Sequence, residues 1–256
     1  MIEIPLLSLI SGLMTIGIRL SGLMLFAPFF GSAVIPARVK AGLVIALTVL
    51  LFPAVGKNIG TYSLTDWPLM IFTEFLIGIG MGVATNIVFE ATMLAGQVIG
   101  IQMGYSLVNI LDPTTQVDTT VIPVFYQTMV MMLFLRMDVL YWLLRAVGNS
   151  FLYLPPGTTH LSGLFTESVL KMAGQMFGLG IQIAAPVLSA TLVTDILLGL
   201  LGKASPTMPL MILGPAIKSI LGIAILIATL KYWPDLYHHL FQDSFQDGEH
   251  LLHLAR

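Results

Sequence analysis

The amino-acid sequence predicts an all-α, polytopic membrane protein, and three observations predict it. The hydrophobic fraction is 57% and the mean hydropathy is +0.94. Charged residues make up 9% of the chain, whereas a soluble domain carries charge on about a quarter of its residues. About six apolar helical blocks meet or approach the roughly 20 residues that a helix needs to cross a bilayer core of about 30 Å. So few charges cannot solvate a globular surface, which excludes a soluble enzyme and a disordered chain. A net charge of −2 offers no basic patch for phosphates, which excludes a nucleic-acid partner. There is no cysteine, hence no disulfide framework, thiolate metal site or Cys nucleophile.

The first block, Leu6–Phe30, follows Met1-Ile2-Glu3-Ile4-Pro5. With no basic residue before it and an apolar run too long for a cleaved leader, it reads as a retained first helix. A connector containing Pro36, Arg38 and Lys40 leads to the second block, Val39–Val55. The two basic residues make that connector the best cytoplasmic candidate. The third block, Trp67–Val108, is about 63 Å of helix at 1.5 Å per residue, about twice the hydrocarbon thickness. Either it breaks into a hairpin near Asn86–Glu90, or it is one long helix that leaves the bilayer. No Lys or Arg lies between Lys57 and Arg136, while Asp66, Glu74, Glu90, Asp112 and Asp118 do. The loop Asn109–Thr120 therefore faces away from the cytoplasm. Val121–Leu144 and Val169–Leu201 form the fourth and fifth blocks, and Pro186 should kink the fifth, nine residues before Asp195. Met208–Tyr232 is the sixth. Residues 1–231 thus read as one membrane domain. Residues 232–256 read as a polar, acidic tail, water-exposed and forming a frayed or short amphipathic helix, with four acids against Arg256. His238, His239, His250 and His253 lie in this tail, and a solvated segment suits them better than a metal site.

No catalytic or metal-binding motif is found. Glu249-His250-Leu251-Leu252-His253 has the metalloprotease order wrong, and Gly148-Asn149-Ser150 lacks the following Gly of a membrane serine protease. No cofactor is implied. The strongest internal pattern is glycine spacing. Gly96, Gly100 and Gly104 recur every four residues, as do Gly78 and Gly82, so each set stacks on one helix face. Small residues at that spacing let backbones approach closely, either within one subunit or between subunits. Asn86, Glu90 and Gln97 fall within about 40° of one another on a helical wheel, forming a polar stripe that must meet protein or water. Arg19, Glu74, Asp195 and Lys218 are the other ionisable residues inside apolar blocks. Structural ion pairs between helices are the favoured reading for these groups, and an ion or proton pathway is the alternative. In the loop, Asp112-Pro113 starts a turn that no helix from before can continue. Such polar backbone is an exterior turn or a re-entrant gate element. Met129, Met131, Met132 and Met137 cluster after it; core filling is the favoured role for most of them, and a seal around variable partners, which flexible thioethers allow, is the alternative.

Three segments together resemble the flagellar biosynthetic protein FliR family, which includes the T-type components of injectisomes. They are Ile35-Pro36-Ala37-Arg38-Val39-Lys40-Ala41-Gly42-Leu43, the run from Gly96 through Gly100 and Gly104 to Ser106 that ends at Asp112-Pro113, and Ala184-Ala185-Pro186 through Asp195 to Lys203-Ala204-Ser205-Pro206. The resemblance spans about residues 10 to 230. Lys203 stands where the family often has Arg, and Pro209 follows Met208 where Asn is often found. The resemblance implies bent helical hairpins rather than simple lipid-spanning helices. It implies a non-enzymatic subunit of the type III export gate, in the bacterial inner membrane at the flagellar basal body. Its partners would be P- and Q-type subunits, the large export-gate membrane protein, the U/B-type switch component and unfolded substrates in transit. It makes the segment Ser106–Val121, with Ser106, Asn109, Asp112, Pro113, Thr114, Gln116 and Asp118, a plug in the pore. Met129, Met131 and Met132 would then be a gasket. Overall similarity leans flagellar rather than injectisome. Asp195, Glu90 and the kink at Pro186 are also what a secondary transporter would use, but such proteins show paired repeats, and no matching halves are found.

Overall fold

The computed structural model describes residues 6–28, 30–31, 35–56, 67–105, 121–156, 163–205 and 210–254. Among them there is no strand. The helices, in order, are α1 (Leu6–Phe26), α2 (Ala37–Val55), α3 (Trp67–Gln102), α4 (Val121–Arg136), α5 (Val139–Tyr153), α6 (Gly163–Ala204), α7 (Leu210–Thr229) and α8 (Trp233–Leu254). A single 3₁₀ turn, Leu230–Tyr232, joins the last two. The chain is an all-α polytopic membrane protein.

Of the two readings of the third block, the structure shows the long helix: no break occurs near Asn86–Glu90, and α3 is helical for 36 residues, about 54 Å. None of its residues is a proline after Pro68, and its buried Thr85 and Thr92 hydroxyls donate back to the carbonyls of Met81 and Val88. Those bonds satisfy the hydroxyls inside the helix and leave the backbone ladder intact. The fourth block is instead two helices. Asp138 sits between them with φ 54°, ψ 27°, a left-handed conformation that Asp tolerates better than most residues and that ends a right-handed helix. The acidic tail is an amphipathic helix, as read, but it is neither short nor frayed: it runs 22 residues and buries one face. Trp233, Tyr237, Leu240, Phe241 and Ser244 recur at spacings of three and four and are all buried. Pro234 lies in its first turn, where a missing N–H costs nothing. Pro186 does not end α6, which continues helically for 42 residues.

The described chain divides into two compact units. The first contains residues up to Ile87, Phe134–Gly174 and Phe241 onward. Its core is built where α1 meets α2 and α3. A Cβ on Gly12 would lie 2.8 Å from the Phe52 ring, and one on Gly17 would lie 3.4 Å from Thr48 Oγ1. Small residues on α1 therefore admit the bulk of α2. In the same unit, Phe134 packs edge-on to Phe241, Trp142 packs edge-on to Phe245, and Ser244 Oγ donates to the carbonyl of Ala84. The second unit contains Val88–Leu133 and Gln175–Leu240. Its centre is aromatic. Tyr126 lies 4.8 Å from the Trp233 ring and Trp233 lies 5.7 Å from Tyr237, distances at which such pairs add to area burial.

Candidate functional site

In the first unit, α1 carries Arg19 inward between α3 and α5. Ile16, Leu20 and Leu23 bury the rest of that face, and the Arg19 side chain is itself fully buried. Its Nη2 lies 2.7 Å from Glu74 Oε2, and both side chains are fully buried. Nε donates to the same carboxylate oxygen at 2.7 Å, Nη1 donates to Ser150 Oγ at 2.8 Å, and Nη2 donates to the carbonyl of Leu154 at 3.1 Å. The Phe151 ring centroid is 3.9 Å from the guanidinium carbon, a cation–π distance. A lone charge in a low-dielectric interior costs several kcal/mol, on the order of the attraction a well-placed partner returns. Arg19 therefore has four kinds of partner, and it ties three helices at one point.

The glycines of α3 make that point possible. A Cβ on Gly78 would collide with the carbonyl oxygen of Arg19, and one on Gly22 would collide with the carbonyl of Phe75. A Cβ on Gly82 would lie 2.8 Å from the carbonyl of Leu23. Gly78 and Gly82 thus face α1 of the same chain.

In the second unit, Asp195 on α6 faces Lys218 on α7 at 2.9 Å. Its other oxygen accepts from Gln102 Nε2 on α3, also at 2.9 Å. Two further contacts join the turn after α3 to α7. Ser219 Oγ donates to the carbonyl of Met103 at 3.2 Å, and Pro215 stands over Gly104, where a Cβ would lie 2.9 Å from the ring. Gly104 has φ +90°, which an L side chain rarely adopts. It turns the chain out of α3. Gly96 lies against the backbone of Pro123, 2.6 Å from where its Cβ would be, and Gly100 is buried.

The four isolated charges of the sequence are therefore brought together in two pairs, each joining different helices. Asn86 and Glu90 are half-buried and Gln97 is exposed. Met129 and Met131 are half-buried, and Met132 is 60% exposed. Ser106, Asn109, Asp112, Pro113, Thr114, Gln116 and Asp118 lie outside the described residues. The residues that sequence reasoning missed are the partners. Ser150 and Phe151 were legible, since Val139, Leu143, Val147, Ser150 and Phe151 share one buried face of α5. A serine on that stripe needs a polar partner. Gln102 carried no such signal, because it is the last residue of an apolar helix.

The sequence model of the family described as "Bacterial export proteins, family 1" matches residues 10–244. Among similar proteins, the flagellar biosynthetic protein FliR of Pectobacterium carotovorum subsp. carotovorum is 28% identical over 228 residues, covering 89% of this chain and 87% of that one. The protein of the same name from Escherichia coli K12 is 27% identical over 229 residues, with coverage of 89% and 87%. That from Bacillus subtilis 168 is 25% identical over 253 residues, covering 98% of both chains. The match takes in both polar pairs and every described helix at least in part, and the chain belongs to the bacterial export proteins, family 1, the FliR family.

Proposed function

We propose that this chain is the R-type subunit of a flagellar type III export gate in the bacterial inner membrane, at the basal body. It is not an enzyme. With P- and Q-type subunits it forms the channel through which unfolded flagellar proteins leave the cytoplasm, and the large export-gate protein and the U/B-type component dock on that assembly. The observation that carries the reading is the family match across residues 10–244. The relatives' name favours the flagellar over the injectisome version of the role. Helices of 36 and 42 residues support it as well. They exceed the roughly 20 residues that lipid requires, and the 42-residue helix leaves Leu170, Phe177, Ile181, Leu197 and Leu201 exposed in the single chain. Other subunits are the natural cover.

The test is co-expression with the P- and Q-type subunits of the same genome, followed by solubilisation and purification on a tag carried by this chain. A stable complex holding all three is expected. A chain that retains neither partner, and instead binds or moves a small solute, would overturn the reading in favour of a secondary transporter.

Within the same proposal, Ser106–Val121 is the plug. Ser106, Asn109, Asp112, Pro113, Thr114, Gln116 and Asp118 supply the polar surface, and Met129, Met131 and Met132 form a gasket beside it. Polar backbone of this kind cannot face lipid. Deleting Pro113–Thr119 should leave the complex assembled but leaky to small ions. The measurement is ion flux across vesicles containing the purified complex. A deletion variant as tight as the wild type would end the plug assignment.

A further inference from the structure

We propose that the exposed side of the Asp195–Lys218 pair is a docking site for a membrane helix of another gate subunit, one that presents a neutral hydrogen-bond donor. The inference rests on the proposed function, because it names a contact through which the gate is built. It starts from an asymmetry. The Lys218 side chain is 17% exposed and the Asp195 side chain is 41% exposed. The pair is thus covered on its ammonium side and open on its carboxylate side. The bonds from Lys218 and Gln102 each take one oxygen. They use two of the roughly four acceptor positions of an ionised carboxylate.

The surroundings decide what can cover the open side. On a helical wheel Gly199 lies about 40° from Asp195, Leu192 about 60° and Ile196 about 100°, all to the same side. Leu192 is 55% exposed and Ile196 is 65% exposed. Gly199 is exposed, and nothing lies within 4 Å of where its Cβ would be. Lipid would suit the leucine and the isoleucine but would leave a carboxylate edge without donors, at a cost of a few kcal/mol. Water would suit the carboxylate but would leave the apolar rim wet. A protein helix suits both. Gly199 allows its backbone to come close, as small residues do between membrane helices, and one turn away Asp195 accepts from a side chain on it.

The charge balance then selects the donor. Asp195 and Lys218 already neutralise each other. A Lys or Arg from the partner would add an unpaired positive charge to a poorly solvated contact, and an acid would add repulsion. The donor is therefore an amide or a hydroxyl: Asn, Gln, Ser, Thr or Tyr.

The chain has no cysteine, so Gly199→Cys provides a single thiol at this surface. A water-soluble maleimide should label it at least about tenfold more slowly in the complex with P- and Q-type subunits than in the solubilised chain alone, because close helix contact excludes the reagent. Gly199→Leu adds bulk where the single chain has open space. It should leave the accumulation and thermal unfolding of the chain alone unchanged while reducing recovered P- and Q-type subunits about tenfold. Asp195→Asn should reduce recovery less than Gly199→Leu does. Equal labelling in both states would overturn the inference, as would normal partner recovery by Gly199→Leu, and the proposed function would stand in either case. Loss of both partners by the wild-type chain would overturn the proposed function and the inference together.

Discussion

Replacing Arg19 with Met is expected to destabilise the first unit by about 3–5 kcal/mol, because it leaves the Glu74 carboxylate buried and uncompensated. Glu74 is fully buried, and among the described residues the hydrogen bonds that hold its charge come from Arg19. The carbonyl of Leu154 loses a donor in the same substitution, and Phe151 loses the cation over its ring. Thermal unfolding of the purified chain in detergent, together with its accumulation in membranes, measures the effect. The double variant Arg19→Met with Glu74→Leu should recover more than half of the loss. It removes both charges, and buried pairs are often replaceable by apolar side chains of similar volume. A double variant as unstable as the single one would mean that Arg19 acts mainly through Ser150, Phe151 and Leu154 rather than through its ion pair.

Gly78→Leu is expected to cost about 3 kcal/mol or more, at the upper end of overpacking effects. A Cβ at this position would occupy the space of the Arg19 carbonyl oxygen and lie about 3.0 Å from the Leu23 nitrogen. Backbone atoms of a helix cannot move aside as a flexible side chain can, so α1 must separate from α3. Separation would also stretch the Arg19–Glu74 pair one turn away. Gly78→Ala should show the same direction with a smaller loss. Gly174→Ala is the matched control, since nothing lies within 4 Å of its Cβ, and it should unfold as the wild type does. Equal stability of Gly78→Leu and the wild type would show that α1 and α3 do not touch as closely as the structure places them.

These two expectations mark the boundary between what the residues announce and what their arrangement adds. That the chain is helical and membrane-embedded was legible because both properties are sums over many residues: 57% hydrophobic, 9% charged, and apolar blocks of bilayer length. Sums survive errors at single positions. Glycine spacing of four in α3 announced close approach for the same reason, since the period alone places Gly78 and Gly82 on one face. That the neighbour is α1 of the same chain, rather than another subunit, depends on contacts of Gly78 with Arg19 and of Gly82 with Leu23, far apart in sequence, and no local pattern contains them.

The polar residues divide in the same way. A charge inside an apolar helix declares that it needs a partner, and Arg19, Glu74, Asp195 and Lys218 each declared it. Which acid meets which base was decided by packing: Arg19 with Glu74, and Asp195 with Lys218. The helix boundaries also followed tertiary and backbone detail. One left-handed residue, Asp138, divided an apolar block that composition made continuous. The acidic stretch after Tyr232 reads by composition as a water-exposed, frayed or short amphipathic helix, because four acids stand against Arg256. Composition averages over the helix, whereas burial selects one face of it. A spacing of four places Trp233, Tyr237 and Phe241 on one helix face, but only the fold could show that Trp233 meets Tyr126 and that Phe241 meets Phe134. The sequence by itself determined the medium, the element type and the need for partners, since each follows from the free energy of single side chains in water or lipid. The tertiary structure decided the identity of the partners, since that depends on distances between residues far apart in the chain.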